Sequence, residues 1–326
     1  MRDILEEKCN LFLKNREAMK KIFKWEYSAS HSMGALLYCS RNKQIEVDKL
    51  KEYKELVKEK TGMFSRFRGN ATPAITTILS LSDNPEELLE KAIKTYDLLK
   101  KSGFSSSDYL VIATLMFVEN VEEKDYEKVI NRARSLYDEM KRIHPFITSH
   151  DDYGLTLMLA ITDKDVNQAI KEMEQCYNRL RSSLSGKNSL QSLSHILTMS
   201  DALVEEKCSR VTDIFEKLKE KGYRFSSSNG EQAVLGLLAL LEYDLDEMVN
   251  DISDVDSLLR KQRGLGNIAI GKSQRLMYAS SLVAYEYVNE VQNKALNITI
   301  GNVLTNVIIA TETAIIISCV ATAASN

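Results

Sequence analysis

Residues 108–142 read DYLVIATLMFVENVEEKDYEKVINRARSLYDEMKR, and this stretch decides the fold. Its first part, residues 108–118, is apolar almost all round, which is typical of a buried helix. After a short polar turn, residues 126–142 place Ile130, Tyr137 and Met140 at helical spacing with charges between them. Because residues three and four apart share one helix face, the stretch predicts a buried helix followed by an amphipathic one.

The pattern of the amphipathic helix recurs along the chain. Each of six copies has an aromatic or polar residue followed three positions later by leucine or methionine. The leading positions are Tyr53, Tyr96, Tyr137, Tyr177, Phe215 and Asp256. Their spacings are 43, 41, 40, 38 and 41 residues. A period of about 40 indicates stacked helix pairs, because one pair cannot bury its apolar face alone.

The composition favours a helical chain. Only 13 glycines and 3 prolines occur in 326 residues, which disfavours long loops and folds rich in β-turns. Pro85 followed by Glu86 and Glu87 predicts a helix start. We therefore predict an all-α fold. It would be an α-solenoid-like array of about five to six antiparallel helix pairs with helical N- and C-terminal caps.

The pattern divides the chain into three parts. Residues 1–27 are predicted as an N-terminal capping helix, residues 28–264 as helical-hairpin repeats, and residues 265–326 as C-terminal helices with an apolar tail. The tail, residues 295–324, is long enough to span a bilayer, which needs about 20 residues, but it contains Glu312. It is a buried helix packed on the last repeats, a partner or oligomer interface, or a membrane anchor. A buried Glu312 would need a cation, for which Lys272 and Arg275 are candidates.

Charge and cysteine usage restrict the partners and the compartment. The formal net charge is −3, so the chain lacks the basic field that nucleic-acid binding needs. Its five cysteines are scattered without a CxxC motif, which indicates reduced thiols and a cytoplasmic protein. No apolar h-region follows the first residues, so we expect no secretory signal.

Arg66 and Arg68 are the candidate anion-binding residues. They precede Gly69 and the predicted helix start at Thr72 and Pro73, where backbone amides and the helix dipole favour phosphate or carboxylate. The alternative is that Arg68 closes the loop structurally. The P-loop pattern GxxxxGK[ST] is absent.

The stretch His150, Asp151 and Asp152 is the densest group of possible metal ligands. It also falls where a helix needs an N-terminal cap, which is the alternative interpretation. His31 lies in the first apolar helix with no partner written nearby. Neither HExxH nor GxSxG occurs, so we predict no catalytic residue and no cofactor.

The repeated helix pairs, the Phe67-Arg68-Gly69 turn and the apolar C-terminus rich in small residues resemble a bacterial protein family. This is domain-of-unknown-function family 4003, seen mainly in Gram-positive bacteria. The resemblance covers nearly the whole chain and implies a mainly helical cytoplasmic protein. It carries over no substrate, cofactor or catalytic residue.

Three functions are compatible with these patterns. The first is a non-catalytic helical-repeat scaffold that binds a protein partner, by analogy with the architecture. The second is an enzyme or small-ligand binder with a site assembled between repeats, which would bring His31, Arg68 and His150 together. The third is a peripheral membrane protein anchored by residues 295–324.

Overall fold

The computed structural model describes residues 1–162, 164–227, 231–241, 243–294, 309–317 and 319–320. Throughout these ranges the chain forms α-helices and short 3-10 turns, with no strand, so the all-α prediction is confirmed. The helices are α1 (Asp3–Ile22), α2 (Ser28–Ser40), α3 (Val47–Lys60), α4 (Thr72–Leu81), α5 (Pro85–Lys101), α6 (Asp108–Asn120), α7 (Tyr126–Ile143), α8 (Tyr153–Ile161), α9 (Val166–Leu180), α10 (Lys187–Thr198), α11 (Val204–Glu220), α12 (Val234–Ala239), α13 (Leu245–Arg260) and α14 (Lys272–Lys294). Residues 309–317 are also helical.

Local sequence signals account for where the helices begin and end. α5 begins at Pro85, as predicted, because proline has no amide hydrogen to lose in the first turn. Glu86 and Glu87 lie in that first turn, and Lys100 and Lys101 lie in the last. These charges oppose the partial charges of the helix dipole at both ends.

The chain divides by its contacts into two compact units. The first unit contains Met1–Lys14, Cys39–Gln44 and Lys171–Thr311, and the second contains Asn15–Tyr38, Ile45–Ile170 and Glu312–Asn326. Each unit contains non-contiguous segments of chain. The predicted division into residues 1–27, 28–264 and 265–326 follows the sequence pattern and not the contacts. It stays a prediction.

The second unit has apolar helices inside and amphipathic helices around them. α6 packs against α5 and α8, α8 packs against α7, and α3 packs against α4. Every residue of α6 from Leu110 to Val118 is buried, whereas α7 buries one face. Tyr153 lies with its ring centroid 5.0 Å from those of Phe104 and Tyr137. The pair of a buried and an amphipathic helix predicted from residues 108–142 is therefore confirmed.

The first unit contains the start of the chain and its later helices. α13 packs against α14, and α11 packs against both α12 and α13. Arg2 donates to the Asp251 carboxylate at 3.0 Å. The Lys8 ammonium lies 3.1 Å from the Glu286 carboxylate, and both side chains are buried. These ion pairs join the first turns of α1 to α13 and α14.

The last of the six recurring positions has an aspartate, Asp256, where the other five have an aromatic residue. Tyr96, Tyr137 and Tyr177 are all buried aromatic residues. In the last copy the equivalent residue, Asp256, is also buried, and its carboxylate accepts from the Arg275 guanidinium at 2.8 Å. A carboxylate suits this position because α14 supplies a cation beside it.

Contacts between successive amphipathic helices join residues at similar separations in the two units. In the first unit, Lys217 contacts Asp246 and Lys221 contacts Asn250 at 2.6 Å, so α11 and α13 advance in the same direction. The partners in these pairs are 29 residues apart. In the second unit, Arg134 of α7 donates to the Gly103 carbonyl 31 residues earlier, at 2.8 Å. The array of repeats stays a prediction, which these regular separations support.

The apolar tail is described only in part. Of the predicted tail, residues 295–308, 318 and 321–324 lie outside the described residues. Residues 309–317 form a buried helix that includes Glu312. Among the helices in the described ranges, none has the length and apolar character that a membrane crossing requires. Arg275, one of the two expected partners of Glu312, has its guanidinium bound by Asp256 and by Asn267 at 2.8 Å.

Candidate binding surface

A groove with a volume of about 680 Å³ lies between α3 and α5. We call it the α3–α5 groove. All of its charged lining residues are acidic: Glu52, Glu55, Glu59, Asp83, Glu86, Glu87 and Glu90. The glutamates of α3 are three and four residues apart, so they share the helix face that borders the groove. Glu86 and Glu87 lie in the first turn of α5, where acidic residues are favoured, and Glu90 lies one turn later.

Three lysines contact this acidic surface without neutralising it. Lys60 lies 2.9 Å from Glu90 and also contacts Glu86, while Lys58 and Lys91 pair with one groove glutamate each. Seven carboxylates outnumber these three ammonium groups by four, and they still outnumber the lysines when Lys54 and Lys94, which act on Glu55 and Glu90 from nearby, are added. Hydrogen bonds from Lys58 and Lys60 lower the pKa of Glu55 and Glu90 respectively.

Two exposed apolar side chains follow directly on the end of α3. Met63 is 77% exposed and Phe64 is 98% exposed, and they come three and four residues after Lys60. Phenylalanine and methionine are enriched in protein interfaces relative to the rest of the surface. Trp25 and Phe146, on loops of the same unit, are similarly exposed.

Arg68 holds the loop that follows α3. Its Nε donates to the Thr61 hydroxyl at 3.1 Å, and Nη2 donates to the carbonyls of Thr61 and Lys58. The Arg66 guanidinium instead lies 4.0 Å from the Asp108 carboxylate. The guanidinium of Arg68 thus closes the end of α3, as the alternative interpretation has it. The anion site at Arg66 and Arg68 stays a prediction.

The group His150, Asp151 and Asp152 forms a 3-10 turn that leads into α8. The Asp152 carboxylate accepts from the Ser149 amide at 2.8 Å, and Asp151 accepts from the Ser149 hydroxyl. The His150 ring stacks on Tyr153 with centroids 5.3 Å apart. These contacts are those of a helix start. Within the described ranges, no three His, Cys, Asp or Glu side chains are arranged to hold a metal ion.

His31 is buried in α2, and its Nε2–H donates to the Phe23 carbonyl at 2.7 Å. Burial lowers the pKa of His31, so the neutral ring is favoured in the fold. The His31 ring therefore contacts Phe23, just beyond α1. The Arg68 guanidinium contacts Thr61 at the end of α3, and the His150 ring stacks on Tyr153 at the start of α8. The three residues that an assembled catalytic site would share have separate sets of contacts.

We expect His31 to make folding stability depend on pH. In the unfolded chain histidine takes up a proton below pH ~6.5, whereas the buried ring resists it. The stability contributed by neutral His31 is thus complete above pH ~6.5 and is lost as the pH falls through the lowered pKa of the folded state. Urea unfolding from pH ~7.5 to ~5 should show a shallower decline for His31→Gln than for the wild type. Equal slopes for the two proteins would contradict this assignment.

Comparison with known proteins gives two matches. The family model described as "Protein of unknown function (DUF4003)" matches residues 15–314. "Uncharacterized protein YeaA" of Bacillus subtilis (strain 168) is 23% identical over 225 residues, covering 66% of this chain and 68% of that protein. No solved structure gives a significant match.

Proposed function

This chain belongs to the DUF4003 family, as its sequence predicted, and we propose that it is a non-catalytic helical scaffold that binds a partner protein at the α3–α5 groove. The partner would present a basic segment with apolar anchor residues. The observation that carries this proposal is the net negative groove whose charged lining residues are all acidic.

The negative charge of the α3–α5 groove indicates that its partner is a basic segment. A concentrated negative potential attracts lysine- and arginine-rich segments and speeds their association. Charge alone gives little affinity at an exposed surface, because each exposed ion pair contributes about 0–1 kcal/mol. Met63 and Phe64 supply exposed apolar area three and four residues after Lys60, the lysine that bridges Glu86 and Glu90. A partner helix with one basic and one apolar face would use both features.

The architecture favours a scaffold over an enzyme. Each amphipathic helix exposes one charged face, and arrays of such helices offer extended surfaces to other macromolecules. The regular separation of about 30 residues between contacting helices supports the proposed repeat. The cytoplasmic location remains part of this proposal and is supported by the scattered thiols.

Charge reversal in the groove tests the proposal. The probe is a synthetic helical peptide with lysine on one face and leucine on the other, and its binding is followed by fluorescence anisotropy. The triple variant Glu52→Lys, Glu59→Lys and Glu87→Lys should weaken binding by about tenfold or more, since attraction becomes repulsion at three positions. Affinity for the wild type should also fall as salt rises from low to physiological concentration.

The matched control reverses three acids outside the groove: Glu127→Lys, Glu216→Lys and Glu220→Lys. It changes the net charge by the same amount and should bind the peptide nearly as the wild type does. A second control replaces lysine by glutamate in the peptide, which should abolish binding. Equal losses in the two triple variants would show that only total charge matters and would refute the groove as the site.

A further inference from the structure

Three loops of the first unit, counted with the helix-end residues beside them, carry an excess of positive charge. They are residues 181–187, 221–227 and 260–272, and we call them the basic loops. They contain two, two and four cations and no aspartate or glutamate, which gives eight positive charges in a chain whose net charge is −3. All of these cations are exposed: Arg181, Lys187, Lys221, Arg224, Arg260, Lys261, Arg263 and Lys272.

Hydrogen bonds bring the three basic loops side by side. The side-chain amide of Gln232 donates to the Ser185 carbonyl at 3.0 Å and to the Ser226 carbonyl at 3.1 Å, which connects the first loop to the second. The Ser226 amide donates to the hydroxyl of Ser273 at 2.5 Å, and Ser273 directly follows Lys272 of the third loop. The exposed cations of the basic loops therefore share one part of the surface.

Helix stability does not account for all of this charge. Arg260 ends α13, where a cation opposes the negative end of the helix dipole. Lys187 and Lys272 instead begin α10 and α14, where the dipole disfavours a positive charge. A cluster that places cations at unfavourable helix positions, with no acid among them, attracts an anionic partner.

An isoleucine projects from the third basic loop. Ile268 is fully exposed, whereas Leu265 and Ile270 on either side of it are buried. The buried guanidinium of Arg275 donates to the Leu265 carbonyl at 3.2 Å and to the side-chain oxygen of Asn267 at 2.8 Å. The loop is therefore held in a conformation that buries two of its apolar side chains and presents a third to solvent.

An anionic bilayer fits this combination better than a nucleic acid does. Clusters of about four to eight lysines and arginines are typical of surfaces that bind anionic lipids. An exposed aliphatic side chain beside such a cluster can enter the boundary between headgroups and acyl chains.

Single-stranded nucleic acid is instead bound by exposed aromatic side chains on which its bases stack. The aromatic residues of the basic loops, which the structure describes throughout, are Tyr223 and Phe225. Phe225 is buried, and the half-buried Tyr223 shares its hydroxyl with that of Ser253 at 2.9 Å. The basic loops therefore lack the stacking platform that such a ligand needs.

We propose that the basic loops bind the surface of an anionic membrane, with Ile268 inserted among the upper parts of the acyl chains. The eight neighbouring cations and the outward isoleucine carry this inference. It is independent of the α3–α5 groove, which lies in the second unit.

Vesicle sedimentation tests the proposal with the full chain. Vesicles of phosphatidylglycerol and phosphatidylcholine in equal parts should pellet the protein at low salt, whereas vesicles of phosphatidylcholine alone should leave it in solution. Binding to the anionic vesicles should weaken as salt rises, because ions screen the attraction. The triple variant Arg224→Glu, Lys261→Glu and Lys272→Glu should bind them at least about tenfold more weakly.

The matched control reverses three exposed lysines of the second unit: Lys49→Glu, Lys51→Glu and Lys124→Glu. It changes the net charge by the same amount and should bind the anionic vesicles nearly as the wild type does. Equal losses in the two triple variants would overturn the proposal, because total charge and not the basic loops would then control binding.

Ile268→Ser tests insertion separately from charge. It leaves every charge in place and removes a side chain that lies in solvent, so the protein should unfold at the same temperature as the wild type. Its affinity for the anionic vesicles should fall about fivefold, since the apolar side chain no longer leaves water on binding. Failure of the wild type to pellet with anionic vesicles, unchanged affinity in Ile268→Ser, or tighter binding to a double-stranded DNA fragment than to the vesicles would each overturn the proposal.

Discussion

Replacing Gly186 by alanine should destabilise the protein by about 3 kcal/mol or more. Gly186 precedes α10 with a φ of +95°, a region that residues with a side chain rarely adopt. A Cβ at this position would lie 2.1 Å from the Ser227 carbonyl oxygen. That carbonyl also accepts a hydrogen bond from the Ser189 hydroxyl at 3.2 Å. Moving the Ser227 backbone to relieve the clash would therefore disturb this hydrogen bond. Strain and overlap therefore add at this residue.

Gly222→Ala is the matched control for this substitution. Gly222 also has a positive φ, of +84°, but its surroundings are open within 4 Å of an added Cβ. Gly222→Ala should lower the free energy of unfolding by about 1 kcal/mol, from backbone strain alone. Urea unfolding followed by circular dichroism measures both variants. Similar losses in the two would mean that contact with Ser227 contributes nothing, contrary to the expected difference.

Replacing Lys207 by methionine should cost about 3–5 kcal/mol. The Lys207 side chain is 0% exposed, and its ammonium binds the Glu172 carboxylate. The same ammonium donates to the carbonyls of Leu197 at 2.7 Å and Ser200 at 3.0 Å. Methionine keeps the apolar stem but removes the charge, so a largely buried carboxylate and two carbonyls lose their shared donor. Removing one partner of a buried pair is far more costly than the net value of the pair.

Lys219→Met, in the same helix, is the control, because it removes a lysine charge from an exposed ion pair instead of a buried one. Lys219 pairs with Glu216 at 2.8 Å, but the two side chains are 43% and 42% exposed. Its loss should cost less than about 1 kcal/mol. Adding Glu172→Gln to Lys207→Met should recover part of the lost stability, because the stranded charge is then removed. No recovery, or equal costs at Lys207 and Lys219, would show that the buried ion pair is not the cause.

Helical periodicity and end signals were enough to predict the helices. The apolar run of residues 108–118 became α6, and Pro85 began α5, because both depend on residues close in sequence. Lys207 was missed although a signal existed. It lies four residues before Val211, on the buried face of α11, so its spacing already marked it as a core position.

The groove could not be predicted in the same way. Glu52, Glu55 and Glu59 belong to one helix, and no local sequence pattern relates them to the acidic residues at the start of the next. Only the placement of α5 beside α3 brings Glu86 and Glu90 opposite them and creates the groove.

The discontinuous first unit has a consequence for the order in which a growing chain can fold. Contacts between successive amphipathic helices join residues about 30 apart, so they can form soon after each helix has been synthesised. The Arg2–Asp251 and Lys8–Glu286 ion pairs cannot form until the chain has been synthesised as far as residues 251 and 286. During synthesis the first turns of α1 must wait while the later helices are added. The last event in completing this unit is therefore the return of the earliest residues to the latest ones.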